Sequence, residues 1–224
     1  HQVYEDPSGP SADLLAISKT WQEHHPEWEH VFWNREKIAS FLQTHFPGYI
    51  PLYNSFSRHI HRWDFIRYLI LYHFGGLYID MDYECLEPVD AVLSGMDCCF
   101  GLEPDTHATW HNKTYIVGNA FIASVPQHFF LKSIIDTIHD NSEQIRSYTT
   151  EYSVLDTTGP FLVTNLYHQC SRKKEVDLIP SELVTPLTIN EVIDLTKGNV
   201  TKEIELKIEK AYAIHYFMGS WKIS

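Results

Sequence analysis

The sequence is short of positive charge, of cysteine and of long apolar runs, and each shortage excludes something. Lys and Arg number 17 against 29 Asp and Glu, for a formal net charge of −12. General nucleic-acid binding rests on a Lys/Arg surplus that neutralises phosphates, so this chain is unsuited to it. Any anion it handles needs a cation in between. The four cysteines, Cys85, Cys98, Cys99 and Cys170, form no C-x-x-C pair and give neither a disulfide framework nor a zinc spacing. Cys98 and Cys99 are adjacent within an apolar run, and buried reduced thiols are expected. The mid-chain apolar run, Tyr68 to Tyr72, is far below the roughly 20 residues of a membrane span. Disorder is excluded as well, because 44% hydrophobic and 21% charged residues is an ordinary globular mixture. A chain of 224 residues buries about 70–75% of its unfolded surface without needing disulfides. With no repeat, low-complexity tract or linker, it reads as one domain over 1–224. The opening His1, in place of Met, gives the expectation that upstream residues are missing.

Patterning places a strand at His1–Tyr4 and a helix capped by Ser11 that runs to about His24 and stops before Pro26. A short aromatic strand over Glu29–Trp33 and a helix from Asn34 to about Phe46 follow. The strongest helical signal runs from about Arg58 to Phe74, with Trp63, Ile66, Ile70 and Phe74 on one face. Gly75–Gly76 ends it in the manner of a left-handed cap. Leu77 to Asp82 then reads as a buried strand ending in acid. Further strands are predicted at Tyr83–Leu86, Cys98–Leu102, Ala120–Ala123, Val176–Ile179 and Ala211–Phe217, with helices over Gln127–His139 and Pro160–Cys170. Alternating strands and helices indicate an α/β fold with a mainly parallel sheet. Glu103–Gly118 reads as a site-covering insertion.

Asp80 and Asp82 carry the chemistry. In an extended chain residues i and i+2 face the same side, about 6.6–6.8 Å apart. Two such carboxylates repel unless a cation sits beside them, and ligands of open α/β sheets bind beyond the carboxyl ends of the strands. Oxygen ligands suit Mg²⁺ or Mn²⁺. A lone D-x-D also describes a solvated strand end; the helix, Gly-Gly and apolar strand before it favour the metal. Asp64 and Arg67, at i and i+3, share a helix face, as an ordinary ion pair or as a pair facing the metal site. His215 by itself reads as a packed histidine, and Trp28, Trp33 and Trp110 as core or surface rings that could also stack on sugars.

Arg62-Trp63-Asp64-Phe65-Ile66-Arg67 followed by Gly75-Gly76-Leu77-Tyr78-Ile79-Asp80-Met81-Asp82 resembles the signature of glycosyltransferase family 32, the D-x-D sugar transferases. His1-Gln2, Gly118-Asn119-Ala120-Phe121, Thr158-Gly159-Pro160, and His215 with Gly219-Ser220-Trp221 resemble further family elements, so the likeness spans most of the chain. Tyr4 stands where many members have Trp. The resemblance implies a single-domain GT-A fold, Rossmann-like and nucleotide-sugar-binding, with retaining transfer and Mn²⁺ or Mg²⁺ as cofactor. It implies Asp80, Asp82 and His215 as metal ligands and Asp64, Arg67, Asp80 and Asp82 as the catalytic set. Gln2, Tyr4, Asp64, Arg67, Tyr78, Asp80, Asn119, Ser220, Trp221 and Lys222 would contact the donor. Gln2 and Tyr4 flank the nucleoside in that reading, and Ser220, Trp221 and Lys222 close over the diphosphate.

The implied partners are a nucleotide sugar, a UDP-hexose ahead of GDP-mannose, and a saccharide or lipid-linked acceptor, compatible with peripheral membrane association. A metal would also reconcile an acidic chain with an acidic donor. Two alternatives stand beside this. One is a haloacid-dehalogenase-like phosphatase, disfavoured by Glu84 where Thr or Val is expected. The other is a carbohydrate-binding domain that has lost turnover. A bacterial-type cytoplasm is the expected setting; N-x-T sequons at Asn112 and Asn199 keep a truncated Golgi enzyme as the other.

Overall fold

In the computed structural model, which describes residues 1–147 and 153–219, the chain starts as strand β1 (Gln2–Val3) and helix α1 (Ala12–His24). The Ser11 hydroxyl accepts from the Leu14 N–H and so caps α1, and Asn34 caps α2 (Arg35–His45) through the Lys37 N–H after strand β2 (Phe32–Trp33). Each side chain satisfies one of the N–H groups that a helix start leaves unpaired.

The long helix α3 (His59–Phe74) is buried nearly all round: Phe65, Ile66, Tyr68, Leu69, Ile70 and Leu71 have no exposed surface. Burying each such side chain contributes roughly 1.5–3 kcal/mol. The one-faced pattern read from sequence therefore understates its burial, while Phe74, assigned to the buried face, is half exposed. Gly75 ends the helix at φ 70° and ψ −155°, a positive-φ conformation but not the left-handed helical one. A Cβ there would lie 2.7 Å from Pro126 Cδ and 2.8 Å from the Ser124 carbonyl oxygen, so glycine is required twice over.

Strand β3 (Gly76–Ile79) comes next, then β4 (Tyr83–Cys85), β5 (Cys98–Leu102), β6 (Val117–Ser124), helix α4 (Phe129–Asp140), helix α5 (Pro160–Gln169), β7 (Asp177–Ile179) and β8 (Ala213–His215). The central sheet has the order β3-β6-β5-β7. Here β6 pairs antiparallel with β3 and β5, and β5 pairs parallel with β7, so only β6 runs against the rest. β1 and β2 pair in parallel, and the His1 main chain joins them to β3 through its carbonyl (from Ile79 N–H, 3.1 Å) and its nitrogen (to Leu77 O, 2.8 Å). That is a parallel ladder, and the sheet is mainly parallel as expected.

One face of the sheet packs on α3, α4 and α5. The other packs on Trp21 of α1, on β4, and on Val184 and Ala213. Cys98 and Cys99 point to these opposite cores, which accounts for their adjacency as buried free thiols.

Three differences from the sequence reading matter. The strand stops at Ile79, and Asp80-Met81-Asp82 forms a turn closed by Tyr83 N–H to Asp80 O at 3.2 Å. Glu103–Gly118 holds a short helix, Asp105–Trp110. Helices Ile189–Thr196 and Lys202–Ile208 occupy a stretch for which patterning predicts no element.

Candidate active site

The turn, rather than strand alternation, brings the acids together. The Asp80 N–H is held by the Ala120 carbonyl at 2.9 Å, and the turn pivots directly into β4. β4 pairs with β8 in a register that sets Tyr83 opposite His215, with the imidazole stacked on the tyrosine ring at 4.6 Å and 9°. His215 Nε2 thereby lies 3.3 Å from Asp82 Oδ1, while the Met218 N–H donates to Asp82 Oδ2 at 2.8 Å. Asp80, Asp82 and His215 each present one ligand atom within 4.8 Å of the others.

Behind them is a buried ionic network. Arg67, 2% exposed, lies 3.1 Å from Asp64 Oδ1 and 3.2 Å from Asp80 Oδ1, and donates to the Asn119 carbonyl at 2.6 Å and the Trp63 carbonyl at 3.3 Å. Four of its five N–H groups thus face protein acceptors. Asp64, also 2% exposed, accepts from Asn119 Nδ2 (2.9 Å) and from the Thr158 hydroxyl (2.7 Å). The Tyr68 hydroxyl ties the same cluster to the Thr158 carbonyl at 2.8 Å, and Tyr78 donates to Asp80 Oδ1 at 2.7 Å.

An irregularity in β6 makes this possible. Phe100 faces Ile122 but Leu102 faces Val117, so β6 bulges through Gly118–Phe121; the Asn119 side chain there meets Asp64, its carbonyl meets Arg67, and the Ala120 carbonyl meets the Asp80 N–H.

Burial governs the charge states. It pushes Asp64 up to about 6, against the pull of Arg67 and of the Thr158 and Asn119 hydrogen bonds. It raises Asp80 too, Arg67 opposing and the Asp82 charge adding. Burial would also raise Asp82, but the facing His215 outweighs it and holds that carboxyl below the usual range. His215 mirrors this: burial lowers it, and Asp82 more than restores it.

The site opens into a cleft of about 500 Å³, lined among others by Tyr4, Trp63, Asp64, Arg67, Asn119 and His215. That volume falls within the range of small-molecule sites. Tyr4 stacks on Trp63 at 6.0 Å and 25°. Gln2 does not reach the cleft. Its side chain is fully buried, accepting from the Ser18 hydroxyl and bonded to His30 at 2.8 Å, with its amide 3.4 Å from the Asp80 carbonyl. It supports the turn from behind, with its side chain held by Ser18, His30 and the Asp80 carbonyl. Ser220, Trp221 and Lys222 lie outside the described residues.

Thr158, Tyr83 and the Met218 N–H are site groups to which sequence patterning assigns no role. Thr158 was visible only as part of a helix start, since its partner is 94 residues away. Two carboxylates and an imidazole around one point fit a divalent ion, and the nitrogen ligand favours Mn²⁺ over Mg²⁺, which prefers all-oxygen shells.

Residues 11–98 match the family model described as a glycosyltransferase sugar-binding region containing a DXD motif. Inositol phosphoceramide mannosyltransferase 1 of Schizosaccharomyces pombe is 31% identical over 167 residues, 73% of this chain and 49% of that protein. Mannosyl phosphorylinositol ceramide synthase CSH1 of Saccharomyces cerevisiae is 30% identical over 173 residues, 77% and 42%. The initiation-specific alpha-1,6-mannosyltransferase of Candida albicans is 24% identical over 256 residues, 93% and 66%. The chain thus spans half or less of the first two relatives' length. Among solved structures, PaToxG glycosyltransferase superposes with a TM-score of 0.59 at 14% identity, over 95% of this chain and 87% of that one, a likeness of fold.

These relatives are named for mannosyl transfer, which removes the ground for ranking a UDP-hexose ahead of GDP-mannose. They are fungal and give the bacterial-type cytoplasmic expectation no support. Among the described residues no helix is long and apolar enough to cross a membrane. Motif, fold and relatives agree: the chain belongs to the glycosyltransferases whose sugar-binding region contains the D-x-D motif.

Proposed function

We propose that this protein is a divalent-metal-dependent, retaining mannosyltransferase, a single GT-A domain over 1–224 that moves mannose from a nucleoside diphosphate sugar to a saccharide or glycolipid acceptor. GDP-mannose ranks ahead of UDP-hexoses because the relatives are mannosyltransferases by name. The observation that carries the reading is the meeting of Asp80, Asp82 and His215 at one point of an otherwise acidic cleft. Breaking the bond from an anomeric carbon to a diphosphate leaves negative charge on the departing group. A cation held by these three residues supplies, when bound, the Lewis-acid charge that stabilises it.

The chain's own groups do the positioning. Arg67 neutralises Asp64 and Asp80 where burial would otherwise protonate them, and the Tyr78 hydroxyl fixes Asp80 Oδ1. Tyr83 holds the His215 ring flat, so that Nε2 faces Asp82. Asp64 retains acceptor capacity for a donor-sugar hydroxyl beyond its three protein partners, since a carboxylate has about four acceptor sites. Tyr4 and Trp63 offer stacked rings to the nucleoside. Ser220, Trp221 and Lys222 stay assigned to the diphosphate on family likeness. Retention follows if the acceptor arrives on the leaving-group face and gives its proton to the departing phosphate oxygen. Asn112 and Asn199 are exposed, compatible with a secretory-lumen setting.

The test is hydrolysis of GDP-mannose by the full chain with Mn²⁺. Slow release of mannose that disappears in excess EDTA and in Asp82→Asn is the expected result. Undiminished hydrolysis under either condition refutes the metal role. Binding without hydrolysis of any hexose nucleotide identifies a carbohydrate-binding domain instead.

A further inference from the structure

Glu103, just past the end of β5, stands in the cleft apart from the metal ligands and has no role in the donor chemistry above. The β6 irregularity puts it there. After the slip between Phe100 and Leu102, the Glu103 N–H pairs with the Ile116 carbonyl at 3.0 Å. Strands β5 and β6 then approach so closely that a Cβ at Gly118 would lie 2.9 Å from the Gly101 oxygen and 3.7 Å from Glu103 Cγ. Glycine at 118 permits the close approach to the Gly101 oxygen, with the glutamate stem at ordinary packing distance beside it.

The carboxylate is also held in place. Glu103 Oε2 is 3.1 Å from His107 Nδ1, and the Ile189 N–H donates to His107 Nε2 at 3.1 Å. Because Nε2 is an acceptor, the ring proton of the neutral imidazole sits on Nδ1 and points at Glu103. His107 is 6% exposed, so this support is fixed. Among the described residues Glu103 Oε1 has no hydrogen-bond partner, although the side chain is 22% exposed to the cleft. Beside it Trp110 stacks on His107 at 5.0 Å and 29°, yet is 49% exposed and lines the same cleft. A charged acceptor oxygen next to an open indole face is the chemistry that holds a polyol ring. The ring's C–H face packs on the indole while adjacent hydroxyls donate to the carboxylate.

We infer that Glu103, positioned by His107, and Trp110 form the acceptor subsite and take a six-membered polyol ring with adjacent hydroxyls. The assignment rests on the glycosyltransferase reading above. A hexose and a cyclitol share this chemistry, and methyl α-mannoside and myo-inositol serve as the two probes. Each is added to the full chain loaded with Mn²⁺ and GDP-mannose. Ring contacts are read by saturation-transfer NMR, and acceptor and donor KM are read separately where turnover occurs.

Glu103→Gln and Trp110→Ala are each expected to weaken the preferred probe about 10- to 100-fold, the equivalent of a charge-assisted hydrogen bond. Donor KM should move by less than about twofold, and Trp110→Phe should recover most of the loss. The probe that shows the effect tells hexose from cyclitol. Contact with neither probe, variants that leave probe affinity unchanged, or donor KM rising in step with acceptor KM each overturn the subsite. Wild-type protein that neither binds nor hydrolyses a nucleotide sugar overturns the glycosyltransferase reading, and this assignment with it. Intact donor hydrolysis beside unaltered probe binding in the variants removes the subsite alone.

Discussion

Replacing Thr158 by Val tests the buried network at its least visible member. Valine keeps the shape and deletes one donor, the hydroxyl 2.7 Å from Asp64 Oδ2, in a residue with no exposed surface. A hydrogen bond to an ionised group contributes roughly 1.5–3 kcal/mol. At 1.36 kcal/mol per pKa unit, its loss lifts Asp64 by about one to two units. Starting from about 6, Asp64 in the variant then titrates at about 7 to 8.

The sign follows from linkage. The folded state already binds this proton more tightly than the unfolded chain, whose Asp titrates near 3.8, so stability falls as pH rises between the two values. In the wild type that fall ends near pH 6; in Thr158→Val it continues about one to two units further. The variant should lose about 1.5–3 kcal/mol at pH 8 and clearly less at pH 5, where the acid is largely neutral in both proteins. Urea denaturation at the two pH values measures the difference, and ¹³C NMR of labelled aspartate follows the titration directly. Equal destabilisation at both pH values, or an unmoved Asp64 midpoint, would refute the account of how this site holds its charge.

Further outcomes follow from the metal site and from the glycine turns. Mn²⁺ at a hundredfold excess over its dissociation constant should stabilise the fold by about 2.7 kcal/mol, read as a rise in Tm. Because Asp82 raises the His215 pKa and the ion must displace that proton, Mn²⁺ affinity should fall as pH drops through the raised value; affinity flat with pH would exclude His215 as a ligand. Gly75→Ala should cost more than about 2 kcal/mol by chemical denaturation, since positive φ and a 2.7 Å approach to Pro126 add together. Gly95→Ala, at φ 79° with open space around it, should cost about 1–2 kcal/mol, and similar losses at both glycines would mean that crowding at Gly75 is relieved elsewhere.

The helices at Ala12–His24, Arg35–His45 and His59–Phe74 were legible because their caps and periodicity are local: Ser11 and Asn34 bond within three residues. The strand before the acids was legible from its apolar run. Helices Ile189–Thr196 and Lys202–Ile208 were missed although Thr188 and Glu191 form a capping box, a local signal available to the reading. The vicinal cysteines looked like one apolar run and proved to serve two separate cores.

The sequence by itself determined the acidic balance, the α/β alternation and the short spacings of Asp64 with Arg67 and of Asp80 with Asp82, because these are written along the chain; the grouping of the four was implied by the family resemblance. Tertiary structure showed how His215 meets the two acids, which the family resemblance only implied, and it alone decided that Thr158 and Asn119 hold Asp64, that Gln2 faces inward, and that Glu103 enters the cleft. Each depends on a contact across 55 to 133 residues or on the break in the β5–β6 ladder. Strand register and bulges are fixed by how whole faces of the sheet pack, and no window of neighbouring residues encodes them.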